Sequence, residues 1–420
     1  MHLTDEQRAM ADGDHGETVA AAMRILQQYG DIMQAENLIE IASAAGANIY
    51  GPRHARPLGS EEPGRLFNRF SLASDEPLAP ARTRVHACQL IGPMDRENPD
   101  VQGLPRGSVD RVEASQAYLE GLGVSLLNTC TPYQVGFLPQ RGDHCAWMES
   151  SAVAFINSVI GARTNTEGRE SAAASMLTGL TPNAGLHLTQ NRRADVRVVV
   201  HAPVRTTADW NVLGYWLGAA VTDDAVPLVE GLESRPDLVQ LKQLGAAAAS
   251  SGDTELFHIP GVTAECAEAQ DVLRPDAAEV SYTAADAAAT LDRLNATRTG
   301  DDVDFVMIGC PHASYGQLEE VAAALDGRQV SADVTLWVFT PSALRRRARE
   351  DGLEAVIERA GARVMSDTCP AIGQFLPPGT RRFATDSAKQ VHYLPAIMGV
   401  EGAFASTADC VHAAVEGRLP

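Results

Sequence analysis

The sequence predicts an α/β protein built mainly from parallel sheets. In its last third, the apolar runs 304–308, 335–339 and 363–365 alternate with helical patterns over 316–325 and 341–360. Strands that alternate with helices indicate βαβ units, whose crossovers are right-handed and whose strands run parallel. Ligands of such sheets bind at the carboxyl ends of the strands. We therefore expect the chemistry of this chain at strand ends.

Helix caps and hydrophobic periodicity support the elements before residue 300. Thr4 and Gln7 form a capping-box pattern at the start of the chain, and Thr283 is positioned to cap the helix that runs to Leu294. Glycines within 210–220 indicate a helix packed closely on a neighbour. The other predictions are helices over 4–29 interrupted at 13–16, a short helix and a strand over 32–50, and a strand near 84–91 within an irregular segment, 51–105, that covers a cleft or lies on the surface. Further along we expect helices over 109–122, 149–160 and 169–180, and strands over 124–127, 195–201 and 256–259.

We expect two α/β regions of similar size. Residues 1–200 form an N-terminal region with one strand-end cysteine, and residues 201–420 form a C-terminal region with two more. A chain of 420 residues is long enough for two or three domains.

Charge and hydropathy exclude several partners. The chain has 34 lysines and arginines against 54 aspartates and glutamates, a formal charge of −20. Nucleic acids and anionic membranes both require a basic surface. There is no run of 18 apolar residues that could span a bilayer. We therefore expect neither a nucleic-acid nor a membrane partner.

The chain has seven cysteines spread thinly along its length, with no apolar secretory segment at its start. An odd number without paired spacing argues against a disulfide framework. We expect reduced thiols and a cytoplasmic location.

Three of the cysteines share one local pattern. Cys130, Cys310 and Cys369 each come shortly after an apolar run, and each has a proline within the next two residues. Such an isolated cysteine is often only a core thiol, but the repeated context favours metal ligation. Zinc sites usually use paired cysteine knuckles, whereas single, distant thiolates suit an iron–sulfur cluster. A zinc-dependent enzyme that uses the same thiolates is the alternative.

Polar residues suited to an oxyacid lie near these cysteines in sequence. Arg163 with Thr164 and Asn165 could bind a carboxylate or simply end a helix. The stretch 385–389, which contains Ser387 and Lys389, could bind an anion at a helix start or serve as a plain cap. The candidates for acid–base chemistry are His144, Glu149, His312 and His392.

Several longer segments carry a family resemblance. They are TCTPYQVGFLPQRGDHCAWMESSAVAFINSVIGARTN, TPNAGLHL, LGYWLG, LFHIPGVT, IGCPHASYGQLEEVA, SDTCP and TDSAKQVHYLP. In this joint order they resemble the catalytic, large-subunit part of the aconitase X family over residues 1–50 and 106–415. The resemblance implies an aconitase-like fold of several α/β/α subdomains and an iron–sulfur-dependent hydro-lyase, a carbon–oxygen lyase acting on a small hydroxy acid.

The resemblance also implies roles for individual residues. Cys130, Cys310 and Cys369 would ligate a 2Fe-2S, 3Fe-4S or 4Fe-4S cluster. Glu149, Ser150, Ser387 and Lys389 would be catalytic, while Arg163, Thr164, Asn165 and His312 would bind substrate. Known family substrates are cis-3-hydroxy-L-proline, which we expect first, and mevalonate 5-phosphate.

The chain departs from the family pattern at 45–51, at 85–89 and at Asp386, where asparagine is common. It also lacks the small swivelling β-rich domain of relatives, so we expect a small partner subunit, which could supply a catalytic serine base. A divergent, non-catalytic iron–sulfur or redox-sensing subunit is the rival hypothesis.

Overall fold

Three parallel sheets organise the protein, as the alternating pattern predicts. The computed structural model describes residues 1–46, 62–222 and 224–420. The strand orders below place the ends of strands from distant parts of the chain next to each other.

The first sheet has the order β4-β3-β2-β5, with all pairs parallel. A separate two-stranded antiparallel sheet joins β1 and β6. The elements are α1 (Asp5–Asp12), α2 (Glu17–Ile32), β1 (Leu38–Glu40), β2 (Ser43–Ala45), α3 (Pro63–Ser71), β3 (His86–Gln89), α4 (Arg106–Gly121), β4 (Val124–Leu126), β5 (Cys145–Trp147), α5 (Ser150–Phe155), α6 (Arg169–Thr178) and β6 (Leu180–Pro182).

The second sheet has the order β8-β7-β9 and is also parallel. Its elements are β7 (Ala194–Val200), α7 (Thr207–Ala220), β8 (Pro227–Glu230), α8 (Leu238–Gly252), α9 (Ala269–Val272), β9 (Leu273–Tyr282) and α10 (Ala284–Leu294).

The third sheet has the order β12-β11-β10-β13-β14, with every pair parallel. The chain runs outward from β10 to β11 and β12 on one side, then crosses to β13 on the other. The crevice between β10 and β13 is therefore a switch point of the kind that holds ligands in open α/β sheets. The elements are β10 (Phe305–Ile308), α11 (Tyr315–Leu325), β11 (Thr335–Thr340), α12 (Ser342–Glu350), α13 (Leu353–Arg359), β12 (Arg363–Ser366), α14 (Pro370–Gly373), β13 (Arg382–Thr385), α15 (Ala388–Met398), β14 (Glu401–Phe404) and α16 (Thr407–Glu416).

Helices α7 and α8 pack at very close range, as the glycines of α7 predict. A Cβ atom on Gly218 would lie 2.2 Å from the Ala248 carbonyl oxygen, and one on Gly214 would lie 2.4 Å from that of Leu244. Only glycine permits this approach of the two backbones. This close contact fixes the distance between α7 and α8.

The structure corrects five sequence predictions. The short helix expected over 32–50 is absent from the described residues 33–46, which form β1 and β2 instead. The helix expected over 341–360 is two helices, α12 and α13, because Gly352 adopts a left-handed conformation with φ of 83°. Residues 256–259 form only an isolated bridge, between His258 and Leu228. Helix α3 was not predicted. Much of the segment after β3 is buried rather than superficial, since Asp95 is inaccessible and accepts a hydrogen bond from the Ser366 amide.

Candidate functional site

The three strand-end cysteines meet at one place in the fold. Cys130, Cys310 and Cys369 follow β4, β10 and β12, are each 7% or 8% exposed, and belong to a single hydrophobic cluster. Burial raises the pKa of each thiol, that of Cys369 to about 12, and the charge of Cys310 raises the pKa of both others. The structure thus gathers three thiols from segments far apart in sequence.

Each of these sulfurs has a hydrogen-bond donor directed at it. The His312 amide donates to Cys130 Sγ at 3.3 Å, and the Ser387 hydroxyl bonds Cys310. Backbone amides just after Cys369, in the short helix α14, bond its sulfur. All of these bonds favour the thiolate and lower the thiol pKa against the effect of burial. Thiolates are the form that ligates metal, so the donor set fits a metal centre.

His312 links the three cysteine loops through its side chain. Its Nδ1 lies 2.9 Å from Thr129 Oγ1, and its Nε2 lies 3.0 Å from the Thr368 carbonyl oxygen. A carbonyl only accepts, so Nε2 carries the proton and Nδ1 accepts from the threonine hydroxyl. Burial lowers the pKa of His312 to about 4, which keeps the ring neutral. His312 was predicted to bind substrate; in the structure it is wholly buried and connects the loops.

Lys242, in the middle of α8, is a buried cation that the sequence motifs did not reveal. Its Nζ donates to the carbonyl oxygens of Pro311 at 3.4 Å and His312 at 3.0 Å, and to Gln317 Oε1 at 2.6 Å. Burial lowers its pKa to about 8, although the nearby Cys130, Asp386 and Cys310 oppose that shift. The ammonium therefore holds the loop that carries Cys310.

Glu149 and Lys389 form an ion pair beside the cysteines. Lys389 Nζ donates to Glu149 Oε1 and, at 3.3 Å, to Ser150 Oγ. Burial raises the pKa of Glu149, but the charge and hydrogen bond of Lys389 outweigh it, and the pKa lies below its usual value. Burial lowers the pKa of Lys389, but Glu149 and Cys310 raise it above its usual value. Both groups are charged, and both side chains are partly accessible at 17% and 15%.

The loop after β13 completes the site. Ser387, predicted to be catalytic, is inaccessible and caps α15 by accepting from the Gln390 amide at 3.2 Å. Asp386 accepts from Thr407 Oγ1 at 3.0 Å and from the Gly309 amide just before Cys310; burial raises its pKa to about 6. These two residues support the Cys310 loop at the switch point.

Arg163, Thr164 and Asn165 make their contacts elsewhere. Arg163 donates to the His187 carbonyl oxygen and to Thr189 Oγ1, both at 2.9 Å. Thr164 Oγ1 accepts from the Trp147 amide at 3.0 Å, and the Asn165 side chain bonds the backbone of residues 184 and 186. None of these three side chains is among the groups that perturb the cysteine pKa values. Their substrate-binding role stays a prediction that these contacts do not favour.

The two remaining histidine candidates are bonded to other aromatic side chains. His144 Nδ1 lies 2.9 Å from His187 Nδ1, and His392 Nδ1 lies 2.9 Å from the Tyr215 hydroxyl. Burial lowers the pKa of both His144 and His392. Neither contact includes a strand-end cysteine.

A compositional signal could have revealed Lys242. Of the 34 basic residues, only Lys242 and Lys389 are lysines; the rest are arginines. Both lysines lie at the cysteine site. An ammonium is a compact point charge, whereas the guanidinium is a larger planar fork, so a chain that otherwise uses arginine keeps lysine where a small cation is required.

Family models match almost the whole chain. Residues 1–190 match the aconitase X first domain, residues 194–292 the second and residues 303–416 the third. The chain belongs to the aconitase X family. The resemblance drawn from its motifs is confirmed. The two-region division at residue 200 stays a prediction beside the three family domains.

Relatives and a solved structure match over similar lengths. The chain is 36% identical to the phosphomevalonate dehydratase large subunit of Methanothermobacter thermautotrophicus, covering 96% of both chains. It is 33% identical to the cis-3-hydroxy-L-proline dehydratase of Pseudomonas aeruginosa, covering 98% of this chain but 70% of that one. The crystal structure of Thermococcus kodakaraensis aconitase X in its holo form aligns with a TM-score of 0.81 and 32% identity, covering 99% of this chain and 100% of that one. The aconitase-like α/β fold is thereby confirmed. These relatives are dehydratases, the enzyme class expected from the motifs.

In the parts of the chain that the structure describes, no helix is long and apolar enough to cross a membrane. Residues 47–51, where the sequence departs from the family pattern, lie outside the described residues, whereas Val85–Gln89 lies at and just before β3.

Proposed function

We propose that the chain is the large subunit of an iron–sulfur-dependent hydro-lyase that dehydrates a small hydroxy acid. The observation that carries the proposal is the convergence of three buried thiols, each with a donor directed at its sulfur, beside a partly accessible ion pair. Cys130, Cys310 and Cys369 would hold the cluster. A bound cluster with an open iron supplies a Lewis acid for a leaving hydroxyl.

The origin of the thiols supports a cluster over zinc, since they come singly from segments far apart in sequence rather than from paired knuckles. Among the described residues, there is no group of three or more histidine, cysteine, aspartate or glutamate side chains arranged to hold a metal ion. A tetrahedral zinc ion with Zn–S bonds of about 2.3 Å needs its sulfurs within about 4 Å of one another. A cluster places irons and sulfides between its protein ligands and so suits a wider set of thiols.

The ion pair supplies groups for binding and proton transfer. The Lys389 ammonium and the Ser150 hydroxyl face a substrate carboxylate, and Glu149 is an ionised carboxylate that can accept a proton. Dehydration breaks a C–H bond next to the carboxylate and a C–O bond, and forms a double bond between the two carbons. The base takes the proton from carbon and then delivers it to the leaving hydroxide, so that one water molecule is lost in total. A positioned base contributes about 10²–10⁴-fold. Ser387 serves in positioning Cys310.

The charges at the site favour a zwitterionic substrate. The partly accessible charges beside the cysteines are one cation, Lys389, and one acid, Glu149, whereas Lys242 and Asp386 are buried behind the Cys310 loop. An amino acid presents one carboxylate and one ammonium, which match Lys389 and Glu149. A phosphate dianion would need additional positive charge. We therefore propose cis-3-hydroxy-L-proline as the first substrate.

Mevalonate 5-phosphate is the second candidate. The chain covers 96% of a phosphomevalonate dehydratase large subunit but only 70% of a cis-3-hydroxy-L-proline dehydratase. The large-subunit name of the first of these relatives supports a separate small subunit. Leu138, after the Cys130 loop, and Ile372, after Cys369, are exposed apolar side chains that such a subunit would cover. Since all seven cysteines are unpaired, we place the enzyme in the cytoplasm.

The test is anaerobic purification of the chain together with a candidate small subunit, followed by iron and sulfide analysis. We expect brown protein with acid-labile sulfide and loss of water from one of the two substrates, followed by mass spectrometry. Cys310→Ser should lose cluster and turnover, while Cys88→Ser, at an equally buried thiol in another hydrophobic cluster, should keep both. A colourless, active Cys310→Ser protein would contradict the proposal.

A further inference from the structure

Lys242 is the most deeply buried cation near the cysteines, and its contacts lack a carboxylate. The residue is 2% exposed, and its three acceptors are two backbone carbonyls and the side-chain amide of Gln317. A buried ammonium without a paired anion costs several kcal/mol. The nearby acidic groups Cys130, Asp386 and Cys310 offset part of this cost.

The side-chain acceptor of Lys242 is the amide oxygen of Gln317, which carries no negative charge to balance the ammonium. Gln317 Oε1 also accepts from the Ser314 amide at 3.1 Å, in a capping box that begins α11. Glutamate fills this position in a capping box equally well. Glutamate would pair the ammonium and cancel its charge, whereas the neutral amide keeps the charge available.

The charge faces the cysteine site. Cys130, Cys310 and Asp386 are the acidic groups that act most strongly on Lys242. The ammonium also holds the carbonyls of the two residues after Cys310, and Gln134 Nε2 donates to the His312 carbonyl at 3.1 Å. Through that loop, the His312 amide reaches Cys130 Sγ.

We propose that Lys242 is a positioning residue that fixes the Cys310 loop and supplies a fixed positive charge that stabilises the cluster thiolates. The role of the positive charge rests on the proposed function, since it concerns a bound cluster. Supporting groups around metal ligands are commonly as important as the ligands themselves.

Four variants test the proposal. Lys242→Met removes charge and donors, Lys242→Gln keeps amide donors without charge, and Gln317→Glu keeps the lysine but cancels its charge at nearly unchanged shape. Gln243→Met is the matched control, because Gln243 is the next residue on α8, is inaccessible, and has no hydrogen-bond partner for its amide atoms within the described part of the chain.

With the cluster bound, we expect the first three variants to lose iron to a chelator about 10–100-fold faster than wild type. Their reduction potentials should be more negative, because the loss of a nearby positive charge destabilises the reduced cluster, which carries one more negative charge. Gln243→Met should match wild type. A lysine with only a structural role would not change the reduction potential of the cluster. Potentials equal to that of wild type in Gln317→Glu and Lys242→Gln would therefore overturn the charge role.

Metal-free protein tests the positioning role separately. Amide hydrogen exchange of the segment 309–313 should be faster in Lys242→Met than in Gln243→Met. Equal exchange in the two variants would overturn this part. Absence of iron from the wild-type protein would instead contradict the proposed function, so the two failures are distinguishable. If Lys242→Met does not fold, Lys242→Gln replaces it in the exchange measurement and Gln317→Glu carries the potential measurement.

Discussion

Lys389 and Glu149 are 240 residues apart in sequence, yet their side chains are directly hydrogen-bonded. Glu149 follows β5 of the first sheet, and Lys389 lies in the first turn of α15, after β13 of the third sheet. The pair therefore connects two sheets at the mouth of the cysteine site.

Replacing Lys389 by methionine should raise the pKa of Glu149. The lysine is the largest influence that holds this pKa down against burial. In wild type, the depressed pKa stabilises the fold above the unfolded-state pKa, and this stability is lost as pH falls through the folded-state pKa. We expect the acidic limb of the kcat/KM profile to move to higher pH in Lys389→Met. Arg205→Met, at an exposed ion pair with Glu233, should leave the limb unchanged; an unshifted limb in Lys389→Met would exclude this role for the pair.

His312→Leu should weaken the connection between the cysteine loops. It leaves the Thr368 carbonyl and the Thr129 hydroxyl without the imidazole. The Thr129 hydroxyl keeps its hydrogen bonds with Thr131, so the Thr368 carbonyl is the group that loses its partner, at a cost of about 1–3 kcal/mol. Urea unfolding of the metal-free protein and the rate of iron loss from the loaded protein measure the effect. His258→Leu is the control, because His258 is equally buried and bonds the Arg192 carbonyl instead; it should lower stability without faster iron loss.

Gly218→Ala should destabilise the protein by about 1–3 kcal/mol, the usual cost of overpacking. The added methyl group would collide with the backbone of α8, and the close packing of the two helices leaves this backbone no room to move away. Gly121→Ala, at the end of α4 with open space around it, should instead be neutral or slightly stabilising. Thermal unfolding measures the stability of both variants relative to wild type. An unchanged stability of Gly218→Ala would show that α7 and α8 can move apart at little cost.

The buried His187 should make the fold sensitive to acid. Burial, then His144 and two arginines, lower its pKa to about 3. The unfolded chain, with a histidine pKa of about 6.5, binds more protons between these values. Stability is thus lost as pH falls from about 6.5 towards 3, by up to about 1.4 kcal/mol per pH unit. His187→Asn should reduce this slope in urea titrations at several pH values, while His201→Asn, at an exposed side chain, should retain it.

The parts of the site that follow a local rule could be predicted. Cys130, Cys310 and Cys369 each lie where an apolar run meets a proline, and strand ends converge in parallel sheets, so their meeting follows from the sequence. The parallel sheets themselves follow from the alternation of strands and helices.

The parts of the site that depend on distant partners could not be predicted from the sequence. Lys242 lies in a helix without a local motif, and its acceptors are 69, 70 and 75 residues away. Arg163 looked like a carboxylate ligand because of its residue type, but its partners were set by residues 187 and 189 in a separate turn. A side chain whose partners are distant in sequence produces no recognisable pattern in the residues around it.

The scarcity of lysine has a consequence for chemical labelling. Apart from the amino terminus, the side-chain amines of this chain are those of Lys242 and Lys389 alone, and neither is exposed. Amine-reactive dyes and crosslinkers should therefore leave the folded surface almost unmodified. Isotopic labelling of the lysine ammonium nitrogens alone should give a nuclear magnetic resonance spectrum with two signals, both from residues at the cysteine site.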